Sequence, residues 1–151
     1  MMKKLLLILL CLPMIGFGQL TMIPDDNFEA YLEANGMGNG IANDDYVTTF
    51  NINTVTYLDV SIQNISDLTG IEDFISLEDL YCMDNQLTSL DLSNNINLNY
   101  LNCENNQLIS LDVSQNTSLF TLKCSYNQLI SLNLSANINL DQVQLKEKLQ
   151  V

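Results

Sequence analysis

The sequence predicts a mainly β or α/β solenoid, with parallel strands on an inner face, short strands on an outer face and a helical cap at its N-terminal end. Three observations carry that prediction. One block recurs without a gap, at 80–100 (LYCMDNQLTSLDLSNNINLNY), 101–121 (LNCENNQLISLDVSQNTSLFT) and 122–142 (LKCSYNQLISLNLSANINLDQ), and a short fixed period of this kind is the signature of stacked coils. Inside each block, apolar residues alternate with polar ones over runs of strand length. The chain has 151 residues, 47% of them apolar and 15% charged, which suits one folded domain rather than an acidic disordered tail.

Residues 1–18 read as an address. Lys3 and Lys4 open the chain, residues 5–15 are apolar, and Gly16-Phe17-Gly18 is a small-x-small end. That order is a secretory signal peptide cleaved between Gly18 and Gln19, and its apolar run is too short to span a membrane. Lipidation at Cys11 fits poorly, because bulky Leu10 precedes it and the apolar run continues beyond it. The full chain carries 18 acids, 5 lysines and no histidine, a net charge of −13; without Lys3 and Lys4, 3 lysines face 18 acids, giving −15. The mature chain is expected to be secreted, extracellular or on the cell surface, with no transmembrane span. Nucleic acid is excluded as a partner, since phosphate contacts need clustered basic residues.

Residues 19–54 are expected to cap the solenoid, because an end coil otherwise exposes its core. Pro24 and Asp25 precede an apolar face at Phe28, Tyr31 and Leu32, and Asn35-Gly36 is a stop signal, so a helix is expected over about 25–34. A loop follows over 36–45, then an edge strand over 47–52. The segment 55–151 is built of repeats with a period of about 21–22 residues, the last incomplete. The first of them, 58–79, is a divergent and slightly longer copy.

Each copy carries LxxLxLxxNxL, as in Leu77, Leu80, Cys82, Asn85 and Leu87. Leu80 and Cys82 flank an outward Tyr81, so they point inward from a short strand. Asn85 follows at a corner, where its side chain can bond backbone groups of the next coil; Asn106 and Asn127 repeat it as a ladder. Gln63 holds this position in the first copy, which predicts a looser corner. The second half repeats the grammar as Leu90, Leu92, Asn95 and Leu98, hence the expectation of strand on both faces. In the first copy, Ile65, Leu68, Ile71, Phe74 and Leu77 recur every third residue, a spacing that suits 3₁₀ turns.

Over residues 55–145 these motifs resemble leucine-rich repeat proteins, in particular the secreted bacterial kind that includes the internalins. The resemblance implies non-enzymatic binding through the inner strand face, and an anchoring domain that such surface proteins often carry and that this sequence does not show.

Each chemistry-bearing group has a plain structural alternative. Cys82, Cys103 and Cys124 form one column, one thiol in each of three successive repeats. A straight row without histidine does not make a tetrahedral metal site, strands about 4.8 Å apart strain a disulfide, and small apolar packing accounts for the column. Asp91, Asp112 and Asn133 form an outward column, and Asn43-Asp44-Asp45 an oxygen-rich turn, but neither has calcium-loop spacing. Solvated acids are the expectation, with no metal and no cofactor. Ser61, Ser89, Ser110 and Ser131 have no histidine to activate them, and a core filled by leucine columns offers no cleft for paired carboxylates. No catalytic residue is assigned, and the chain is not expected to be an enzyme.

Alternation places Tyr57, Asp59, Asp79, Tyr81, Met83, Tyr100, Asn102, Glu104, Thr121, Lys123, Ser125 and, further on, Gln142, Gln144 and Lys146 outward on the inner face. Tyr57, Tyr81, Tyr100, Asn102, Glu104 and Lys123 are the expected ligand-binding set, because tyrosines give large semi-polar contact area at low entropic cost. The expected partner is a protein or glycan at or beyond the bacterial cell surface, for recognition or adhesion. The competing expectation is a structural spacer, or a fragment of a larger surface protein that self-associates through residues 143–151.

Overall fold

The computed structural model describes residues 18–145. The signal-peptide reading of residues 1–17 and the placement of Lys146 fall outside them. Among the described residues, no helix is long and apolar enough to cross a membrane.

The repeats form a five-stranded parallel sheet in chain order: β3 (Tyr57–Asp59), β4 (Asp79–Tyr81), β5 (Tyr100–Asn102), β6 (Thr121–Lys123) and β7 (Gln142–Gln144). Partners are Tyr57 with Asp79, Asp79 with Tyr100, Tyr100 with Thr121, and Thr121 with Gln142. The register therefore advances by one sequence repeat per strand, with its single longer step falling on the divergent first copy. Central residues Leu58, Leu80, Leu101 and Leu122 point into the coil and are buried, together with Cys82, Cys103, Leu87, Leu92 and Leu98. Each coil thus removes one layer of aliphatic side chains from water, at roughly 1.5–3 kcal/mol for each fully buried side chain.

The outer side corrects the expectation of strand on both faces: among the described residues it carries none. Each coil instead makes two consecutive turns there, Asn95 N donating to Leu92 O at 3.0 Å and Leu98 N to Asn95 O at 3.0 Å, repeated at Asn116 and Asn137. Turns of this tight spacing leave no run of extended amides to ladder. The carbonyls are met by side chains: Asn116 Nδ2 donates to Leu92 O (3.0 Å) and Asn95 O (2.9 Å), and Asn137 Nδ2 to Val113 O and Asn116 O. In the first coil, the every-third-residue spacing gives a 3₁₀ turn at Ile71–Asp73.

The inner-corner asparagines also reach the preceding coil, not the next one. Asn85 Nδ2 donates to Val60 O (2.8 Å) while its Oδ1 accepts from Gln63 N and Ile65 N; Asn106 joins Cys82 O and Leu87 N, and Asn127 joins Cys103 O and Leu108 N. The reason is strand geometry. A residue's N–H and C=O lie on one side of a parallel strand. Val60 and Cys82 donate forward, to Tyr81 O and Asn102 O, so their carbonyls also face forward and are met by the asparagine of the following coil. The Gln63 side chain, by contrast, turns back on its own coil, its Nε2 donating to Ser61 O at 2.9 Å.

The cap is built from β1 (Leu20–Met22), α1 (Asp26–Ala34), β2 (Tyr46–Thr48) and a helical turn α2 (Thr49–Ile52). The segment 47–52 is therefore part strand and part helix, and its strand pairs antiparallel with β1 rather than with the solenoid sheet. Asp25 joins cap to coil. Its Oδ1 accepts from Asn27 N and Phe28 N, capping α1, and its Oδ2 accepts from Ser66 N, Ser66 Oγ and Asp67 N. Phe28 stacks on Phe74 at 6.3 Å and closes the core. Gly70, at φ +101°, lies where β1 crosses the first coil, and a Cβ there would meet Met22 O at 2.7 Å.

Candidate functional site

Strand alternation turns Tyr57, Tyr81 and Tyr100 outward around buried leucines, and stacking the coils turns three separate residues into one row. Tyr57 and Tyr81 lie 5.4 Å apart between ring centroids, tilted at 45°; Tyr81 and Tyr100 stack at 4.6 Å and 24°. Lys123 extends the row, its Nζ 5.8 Å from the Tyr100 centroid. Carboxylates interleave with the rings, since Asp79 is in register with both Tyr57 and Tyr100, and Asp59 with Tyr81. The Tyr81 phenol is held above its ordinary pKa, by burial first, then by Tyr100, then by the nearby Asp79 and Tyr57. It stays neutral through the physiological range as a donor and acceptor.

Of the six residues expected to contact a ligand, five present surface: Tyr57 is 56% exposed, and Tyr81, Tyr100, Glu104 and Lys123 are half-buried. Asn102 is a correction. It is 5% exposed; its Oδ1 accepts from Glu104 N at 3.1 Å and its Nδ2 lies 3.4 Å from Met83 Sδ. It sits in register between Tyr81 and Lys123, whose larger side chains flank it, so it supports the strand end. Thr121 and Ser125, on the same face, are buried as well. The structure adds Tyr31 of α1, whose phenol pKa is raised by burial, then by Asp59, then by Tyr57. In the sequence Tyr31 registers only as part of a helix's apolar face.

The three cysteines of the column are buried free thiols. Burial, and after it Asp59, pushes Cys82 up to about 12; burial, and after it Glu104, pushes Cys124 up to about 11; Cys103 is well above its ordinary value, from burial and its two column neighbours. Thiolate is the form that attacks or ligates, so these remain packing residues at neutral pH.

The outward Asp column has a local explanation. Asp91 Oδ1 accepts from Ser93 N, Asp112 Oδ1 from Ser114 N and Asn133 Oδ1 from Ser135 N, all at 2.9–3.0 Å. These are side-chain turns of the kind Asp and Asn both make, and the bonds hold Asp91 and Asp112 below the usual carboxylate range. Beside them runs a groove of about 480 Å³ lined by Asp67, Glu72, Ser89, Asp91, Ser110 and Asp112, among others, a grouping the one-dimensional pattern did not reveal. In the cap, Asp26, Glu29 and Asp45 bring carboxylate oxygens within 4.8 Å of one another. Buried Glu29 already accepts from Asp44 N and Asp45 N, which ties the oxygen-rich turn to α1.

Regular coils with leucine columns inside, one parallel sheet and an asparagine at each inner corner define a leucine-rich repeat protein. No family model matches the chain. Internalin J of Listeria monocytogenes is 40% identical over 72 residues, 48% of this chain and 8% of that protein. The solved functional domain of internalin J from the same organism, which includes a cysteine ladder, matches with a TM-score of 0.73 and 36% identity, over 85% of this chain and 30% of that one. Internalin InlF, also from L. monocytogenes, matches with a TM-score of 0.67 and 22% identity, over 82% of this chain and 44% of that one; at that identity the likeness concerns the fold. The chain is an internalin-like leucine-rich repeat protein, and it spans less than half of each of these relatives.

Proposed function

We propose that the chain is a secreted or surface-displayed, non-enzymatic recognition module that binds a protein or glycan partner through its inner face. The observation that carries this is the continuous Tyr57, Tyr81, Tyr100 and Lys123 row on a rigid parallel sheet. A pre-ordered surface loses little entropy on binding, and tyrosines are favoured as anchors of such contacts. Nothing at the row suggests turnover: the neighbouring carboxylates are spread over an open strand face, without the desolvated acid and cleft that hydrolysis needs. The likeness to internalins supports surface interaction as the setting, and the leader-like residues 1–18 support export.

The test is capture by the immobilised chain from extracts of the producing cell's surface and its surroundings, wild type beside Tyr81→Ala/Tyr100→Ala. A partner held by wild type and lost by the variant supports recognition through this face. Equal capture by both, or capture of further copies of the chain alone, replaces it with the spacer reading.

A further inference from the structure

We propose that the inner face takes a Lys- or Arg-bearing extended segment of a partner protein, whose cationic side chains lie among the Tyr57, Tyr81 and Tyr100 rings and the carboxylates of Asp59 and Asp79. This rests on the recognition reading and deepens it by naming the partner's chemistry.

Charge is the first argument. Residues 18–145 hold 17 of the chain's 18 acids, all but Glu147, and one of its five lysines, Lys123. That one cation sits over the Tyr100 ring, in the geometry by which an aromatic face attracts an ammonium or guanidinium. Tyr57, at the other end of the row and 56% exposed, has no second cation among the described residues to play that part.

Register is the second. Tyr57 faces Asp79, Asp59 faces Tyr81, and Asp79 faces Tyr100, so each ring has a carboxylate across the strand gap, about 4.8 Å away. A guanidinium placed there meets a π-face and a charged acceptor together, and its several N–H groups suit both the carboxylate and phenol oxygens. A neutral sugar gains little from that charge, and an anionic partner is repelled by it. The row crosses three coils with ring centroids 5.4 and 4.6 Å apart, so an extended segment lying along it, whose same-face side chains recur every ~7 Å, sets one or two cationic side chains among the three rings.

The test is calorimetric titration of the whole chain, at low and high salt, with a synthetic peptide alternating arginine and glycine, beside the same peptide with citrulline for arginine. Three double variants are compared: Tyr81→Ala/Tyr100→Ala, Asp59→Asn/Asp79→Asn, and the charge-matched outer-face Asp91→Asn/Asp112→Asn. Tyr57→Ala serves as a milder variant should the first lose its fold by circular dichroism. The arginine peptide should bind and the citrulline peptide should not. Both inner-face double variants should weaken binding about tenfold or more, Tyr57→Ala should weaken it measurably, and the outer-face variant should change it less than about twofold. Equal loss in the inner and outer charge variants would reduce the effect to bulk charge and overturn the proposal, as would undiminished binding by the tyrosine variants. If a surface partner is captured through Tyr81 and Tyr100 while the arginine peptide does not bind, recognition stands and this inference fails; if neither occurs, both fail.

Discussion

Asn106→Ala tests what holds the coils together. The Asn106 side chain gives Nδ2 to Cys82 O at 2.9 Å and takes Leu87 N at 3.0 Å through Oδ1, both in the preceding coil, with further contacts to Cys103 O and Glu104 O. The residue is 7% exposed, so water cannot replace it. Alanine orphans one buried amide and one buried carbonyl between two coils, and at about 1–3 kcal/mol for each buried unsatisfied group, partly relieved by relaxation, the loss should be about 2–4 kcal/mol. In urea unfolding followed by circular dichroism, with a slope of roughly 2 kcal/mol/M for a chain of this size, the midpoint should fall by about 1–2 M. Because coils touch only their neighbours, the transition should also broaden or split as the two halves uncouple. Asn127→Ala removes equivalent bonds at a half-buried position and should cost less. A loss under about 0.5 kcal/mol for Asn106→Ala, or a larger loss for Asn127→Ala, would refute the ladder as the source of coil cohesion.

Three further outcomes are expected. Asp25→Ala removes the α1 cap and the bonds to Ser66 and Asp67, and should cost about 2–3 kcal/mol in the same urea assay. Burial raises the Asp25 pKa but the bonds from Ser66, Phe28 and Asp67 outweigh it; with a folded value below the unfolded one, its contribution is present above about pH 4 and is lost as pH falls through the folded value. For the cysteines the sign reverses. Raised folded values, about 12 for Cys82 and about 11 for Cys124, leave their contribution intact below about pH 8.5 and erode it as pH rises towards 11–12, so the wild-type urea midpoint should fall faster above pH 9 than that of Cys82→Ala. Asp112→Asn should leave the melting temperature unchanged, since Asn133 makes the same turn, and added calcium should not raise it; a calcium-induced rise abolished by Asp112→Asn would restore the cation reading of that column.

The repeat and its inward columns were legible because period and alternation are one-dimensional signals: Leu80, Leu101 and Leu122 are inward by spacing alone and are buried. The outer side was not, because Leu90-x-Leu92 fits strand and turn equally well. The deciding sign was the step of three from Asn95 to Leu98, the same spacing that flagged the 3₁₀ turn in the first coil. Direction was not legible either, since sequence does not say on which side of a strand a carbonyl lies; hence the asparagines bond backward. Asn102 is outward by parity yet covered, because parity ignores the size of its neighbours across the sheet. Tyr31 comes within electrostatic reach of Asp59 and Tyr57 only in the fold, which no spacing encodes.

The measurement that bears most directly on the inner face is hydrogen exchange of the chain alone and with its captured partner. Added protection is expected over residues 57–59, 79–84, 100–105 and 121–125, where the tyrosine row and Lys123 lie. Protection confined to the outer turns at 67–72, 89–94 and 110–115 would contradict it and move recognition to the acidic groove.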